Sequence, residues 1–62
     1  MNLREIRFKK RKTQYDICKF SGVSQSKISL IERGYVSPTR KEKLAIAKAV
    51  GVDSKDIVWT VE

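Results

Sequence analysis

Sixty-two residues carrying 14 Lys/Arg, 7 Asp/Glu and a formal charge of +7 make one small domain, whose apolar residues must nearly all share a single core. One cysteine and no histidine exclude an internal disulfide and argue against a structural zinc site. No apolar run is long enough to span a bilayer, and Met1-Asn2-Leu3-Arg4 does not begin a secretory signal, so a soluble, cytoplasmic protein is expected.

The charge is unevenly placed. Residues 1–27 hold eight cations against two acids, and residues 28–62 hold six against five. The positive field belongs to the N-terminal half and favours a polyanionic partner. Composition alone does not separate duplex DNA from RNA or an anionic membrane.

In chain order, residues 2–12 read as a first helix with Asn2 at its cap. Leu3, Ile6 and the stem of Arg7 or Lys10 fall on one stripe, and Phe8 falls off it. The closing run Lys9-Lys10-Arg11-Lys12 suits the negative end of the helix dipole. Two compatible readings of that run stand together: a solvated basic end, and a cluster that touches phosphate and adds affinity without sequence choice.

Thr13 is placed to cap a second helix, with Asp16 at its third position near the positive end of the dipole. Gly22 ends that helix by taking the left-handed conformation. Ser24 caps a third helix whose first turn, Gln25-Ser26-Lys27, is wholly polar. Behind that turn Ile28 and Ile31 lie three apart and are expected to pack on Ile17, Cys18 and Val23. A helix buried on one side and polar at its exposed leading end is shaped to read a major groove.

Gly34 stops the third helix, and Pro38 biases Ser37 away from helical structure. Thr39 to Glu42 form a capping box, so a fourth helix begins at about residue 40. Its core stripe is Ile46, Ala47 and Val50, with Leu44 flanking, and Gly51 closes it. Asp53 caps a last short helix, with Ile57 and Val58 facing inward wholly or in part. Residues 59–62 form a short tail.

Gln25 is the strongest candidate for base contact, because its amide can pair bidentately with adenine N6 and N7. Lys27 can reach guanine or only phosphate, and both readings stay open. Cys18 belongs in the core, since no histidine exists to activate its thiol. Glu32 is structural and pairs with a nearby cation. Phe8, Tyr15 and Phe20 are expected as partly buried anchors, with Phe20 closing the domain edge. Trp59 either folds over the base of the domain or joins Ile57, Val58 and Val61 in a self-association surface. With no glycine-rich phosphate loop, metal-ligand set or nucleophile–base pair, and therefore no cofactor expected, an enzyme is not indicated.

Taken together, Thr13-Gln14, the Gly22-Val23-Ser24 turn, Ile28-Ser29, Ile31-Glu32-Arg33-Gly34, Pro38-Thr39 and Ile46 to Val52 resemble the lambda-repressor-like helix-turn-helix family. The resemblance covers about residues 3–58 without an insertion. It implies an all-α bundle of about five short helices, residues 1–62 forming one domain, encoded by a bacterium or phage. It implies a homodimeric transcriptional repressor bound to duplex DNA on a palindromic operator. It places the base-reading positions at Ser24, Gln25, Ser26 and Lys27, with Ser29 and Leu30 further along. Phosphate contacts fall to Gln14, Arg33, Tyr35 and Ser37, beside the basic Lys10, Arg11 and Lys12.

The chain departs from the family pattern at three places. Arg11-Lys12 stands where the family often has Gly-Leu, and a left-handed Arg11 is mildly strained, so a different corner between the first two helices is expected. Arg40 replaces a common apolar residue. Leu30 replaces a polar one, where it either meets a thymine methyl or serves a protein partner. The alternative function is therefore a protein-interaction module, such as an antitoxin or repressor antagonist, using Leu30, Tyr35 or Trp59. A third is non-specific RNA binding through the basic end of the first helix.

Overall fold

Each helix of this protein starts at a side chain that satisfies an amide the helix itself leaves unpaired. In the computed structural model, which describes residues 1–59, these starts define α1 (Leu3–Lys9), α2 (Gln14–Ser21), α3 (Gln25–Glu32) and α4 (Arg40–Val50), followed by a single 3-10 turn at Ser54–Asp56. Asn2 with Glu5, Thr13 with Asp16, and Thr39 with Glu42 form reciprocal capping boxes. Ser24 Oγ accepts from the Lys27 amide at 3.2 Å. The all-α fold expected from the sequence is what the chain adopts.

Two boundaries differ from expectation. The first helix stops at Lys9 rather than running to residue 12, and Lys10 caps it. The Arg11 amide donates to Phe8 O and the Lys12 amide to Arg7 O, with Arg11 left-handed at φ 56°. This is the paired hydrogen-bond closure that ordinarily places glycine at the left-handed position. α3 ends by the same device with a glycine: the Gly34 amide reaches Ile31 O, the Tyr35 amide reaches Leu30 O, and Gly34 has φ 79°. At the other end of the chain, the expected last helix is only the 3-10 turn, and Asp53 makes no side-chain cap hydrogen bond.

The core holds Leu3 and Ile6 from α1, Ile17 from α2, Val23 from the turn, Ile28 and Ile31 from α3, and Ile46, Ala47 and Val50 from α4, closed by Ile57. Cys18, Ala49, Val52 and Trp59 pack partly buried against it. Leu44, beside the α4 stripe, is exposed. Residues 1–2 meet residue 58 where the Val58 amide donates to Met1 O at 2.9 Å, in an isolated parallel bridge between Asn2 and Val58.

The three aromatics expected as anchors are instead exposed: Phe8, Tyr15 and Phe20. Phe20 therefore does not close the domain edge, although it lies three residues after the buried Ile17. Cations cover two of these rings. The Arg7 guanidinium stands 4.7 Å from the Phe8 centroid, and the Lys12 ammonium 5.9 Å from that of Phe20.

Beneath α3 lies the principal polar contact of the interior. Arg7 is 7% exposed; its Nε donates to Glu32 Oε2 at 2.7 Å, its Nη2 to Glu32 Oε1 at 3.2 Å, and its Nη1 to Lys12 O at 3.0 Å. The structural pairing expected for Glu32 is thus with α1. This fork ties the start of the basic corner to the end of α3.

Candidate nucleic-acid interface

α3 is short, and its sequence divides it by direction. Ile28 and Ile31 are sealed in the core, whereas Gln25 and Ser26 at its leading end are exposed and Ser29 is half-buried. Leu30 is 38% exposed, at the margin of that polar surface. Gln14, at the first position of α2, faces the same side. Its Nε2 donates to Glu32 Oε1 at 3.0 Å, so its side chain is held by the carboxylate that also binds Arg7.

Gln14, Gln25, Ser26, Ser29, Leu30 and Arg33 line one shallow groove. A second depression adjoins it and adds Arg4, Arg7 and Glu32 to Gln14, Ser29 and Arg33. Sequence reading alone does not single out Arg4. The available signal is its spacing, three before Arg7 and four before Phe8, which sets all three on neighbouring helical positions; the Arg4 guanidinium lies 5.5 Å from the Phe8 ring.

The remaining candidates are more dispersed. Ser24, Lys10, Arg11, Tyr35 and Ser37 lie outside both depressions; Ser24, Lys10, Arg11 and Tyr35 are exposed and Ser37 is exposed. Lys12 is half-buried and lines a separate depression with Phe20, Lys48 and Ala49. Lys27 is engaged with α4: its Nζ lies 2.6 Å from Glu42 Oε2. Of the residues considered for self-association, Ile57 is buried in the core and so is absent from the surface. Val58 is exposed, Trp59 is half-buried with its indole N–H donating to Ser54 O at 3.0 Å, and Val61 lies outside the described residues.

The acids on this side are committed to local partners, and the Asp16 carboxylate also feels the charges of Lys12 and Lys19. The Asp16 carboxylate accepts the Thr13 amide at 2.8 Å, which with the Thr13 hydroxyl holds its carboxyl below the ordinary 3.8. Glu5 is turned back onto the Asn2 amide, and Glu32 is occupied by Arg7 and Gln14. A surface of amides and hydroxyls bordered by Arg4 and Arg33 can hydrogen-bond base edges and neutralise phosphates.

A family model described as helix-turn-helix matches residues 3–57. The chain belongs to this family. Within it, the lambda-repressor-like branch is the one its motifs resemble, and the family is one of DNA-binding regulators. Neither the curated proteins nor the solved structures give a significant match. Among the described residues no helix is long and apolar enough to cross a membrane.

Proposed function

We propose that this protein is a sequence-specific transcriptional regulator that lays α3 in the major groove of duplex DNA. The observation supporting this most directly is the divided character of α3. Its two isoleucines are buried, while Gln25 and Ser26 stand in solvent on the groove shared with Gln14 and Arg33. In that pose Gln25 pairs with an adenine edge, and Ser26, Ser29 and Leu30 meet neighbouring bases. Gln14, Arg33, Tyr35, Ser37 and the basic corner at Lys10 and Arg11 hold phosphates and so fix register.

Occlusion of a promoter makes such a protein a repressor. Two copies on a palindromic operator place their α3 helices roughly 34 Å apart. With Ile57 committed to the core, the contact between copies falls to the exposed Val58 and the rim of Trp59. Sedimentation of the DNA complex tests this. A mass of two chains per duplex is expected, and one chain per duplex at saturation removes the dimer.

Selection of bound duplexes from a random pool tests the function. One enriched motif is expected. Gln25→Ala should lose about 1–3 kcal/mol of preference for it, whereas Lys10→Ala should weaken all sequences alike and reduce the salt slope by about one. A second reading, a protein-interaction module, draws on the exposure of Tyr35 and Leu30. It takes over if no duplex is enriched and both variants bind DNA as the parent does.

A further inference from the structure

α3 contains a single cation, Lys27, and its ammonium is 2.6 Å from Glu42 Oε2. The other oxygen of the same carboxylate serves the helix cap. Glu42 Oε1 accepts the Thr39 amide at 2.8 Å, and the Glu42 amide donates to Thr39 Oγ1 at 3.1 Å. The capping box therefore fixes the carboxylate before Lys27 arrives, so less side-chain freedom is lost in forming the pair than for two mobile surface chains. Arg40 and Lys41 share the first turn of α4 with Glu42, yet Lys27 is the cation within ion-pair distance. The cap does not need it. Among the described residues, the boxes at Asn2–Glu5 and Thr13–Asp16 close without an ion pair. The ammonium, followed by the Thr39 amide, holds the Glu42 carboxyl below its ordinary 4.5.

We propose that Glu42 is a positioning residue that withholds Lys27 from DNA, so that the head of α3 reads its site through neutral groups alone. This rests on α3 being the groove-reading helix. Lysine and arginine are the usual readers of guanine O6 and N7. With the ammonium turned to α4, what remains at the leading end is the Gln25 amide, the Ser26 and Ser29 hydroxyls and the Leu30 side chain, a set suited to adenine edges and thymine methyls. The pair also removes one cation from those that displace counterions, which lowers affinity for arbitrary sequence.

Glu42→Gln is the informative variant, because a glutamine at this position still accepts the Thr39 amide and preserves the cap. Freed Lys27 should raise affinity for random duplex roughly two- to fivefold and steepen the salt dependence by about 0.9. Guanine should appear in the selected motif if the ammonium finds a base instead of a phosphate. Lys27→Ala in the otherwise native chain should leave the salt slope unchanged. Thr39→Ala, which weakens the cap and keeps the charge, should lower the melting temperature without changing the slope. Unaltered random-duplex affinity, slope and motif in Glu42→Gln would overturn the proposal, as would a shallower slope in Lys27→Ala. The ion pair itself is read without DNA, by the carboxyl titration of Glu42 in the free protein. It should move upward in Lys27→Ala, and no movement dismisses the pair even if α3 reads DNA. A parent protein without duplex preference dismisses the groove reading and leaves that titration standing.

Discussion

Both oxygens of the Glu32 carboxylate accept from the Arg7 guanidinium, and one also accepts from Gln14. The side chains are 9% and 4% exposed, so solvent cannot replace either partner. Removing one half of such a pair leaves a buried charge uncompensated, at a cost of about 3–5 kcal/mol. A domain of this length has a total stability of roughly 3–9 kcal/mol. Glu32→Ala should therefore be close to unfolding, with its urea midpoint sharply lowered. A loss under about 1 kcal/mol would mean the guanidinium finds other partners. Arg7→Lys should not rescue the fold, since an ammonium lacks the fork that spans both carboxylate oxygens and Lys12 O. Sequence showed that Glu32 is structural and that the stem of Arg7 lies on the α1 stripe. That the two meet was hidden, because a pairing between distant helices has no period to betray it.

Among the elements, four starts and the three ends at Gly22, Gly34 and Gly51 were legible, and the misses were the end of α1 and the start at Asp53. A cap is a local chemical pattern, so Asn2, Thr13, Ser24 and Thr39 could be read directly. The end of α1 was obscured because Lys10, Arg11 and Lys12 are good helix formers, and the glycine that marks the end of α3 is missing there. Arg11 occupies the left-handed position at φ 56°, where a Cβ costs roughly 1–2 kcal/mol. Arg11→Gly should stabilise the domain by about 1 kcal/mol after the extra chain entropy of glycine is subtracted. A calorimetric melt checks this, and an unchanged or lower transition would show that the corner carries no strain.

The caps also set the acid response. Asp16 and Glu42 both have folded pKa values below their ordinary 3.8 and 4.5. Their contribution is thus complete above those ordinary values and is lost as pH falls through the lowered ones. The melting temperature should hold level down to about pH 5 and then decline in acid. Glu42→Gln should decline less steeply over the same range, and equal slopes would show that the Glu42 cap is not linked to protonation.

For the molecule as a whole, charge and core were legible in different degrees. The alternation of isoleucines with polar residues located the core helices, and every residue named for the core stripes of α3 and α4 is buried. The aromatics misled, since a large apolar ring suggests burial, while Phe8 and Tyr15 sit on faces that the 3.6-residue repeat turns outward and Phe20, three residues past the buried Ile17, still stands in solvent. The excess of cations in residues 1–27 pointed to a polyanion. It could not show that the two acids of that half are folded back onto helix caps, nor that Lys27 is paired across to α4.

On the proposed function, the leading end of α3 meets the bases while Gln14 at the start of α2, the corner after α1 and the loop after α3 meet the backbone. Amide and side-chain NMR shifts recorded as a selected duplex is added test this most directly. The largest changes are expected at Gln14, Gln25, Ser26 and Ser29, smaller ones at Lys10, Arg11 and Tyr35, and almost none around Phe20 and Trp59. Changes centred on Phe20, Lys48 or Trp59, with Gln25 and Ser26 undisturbed, would contradict it.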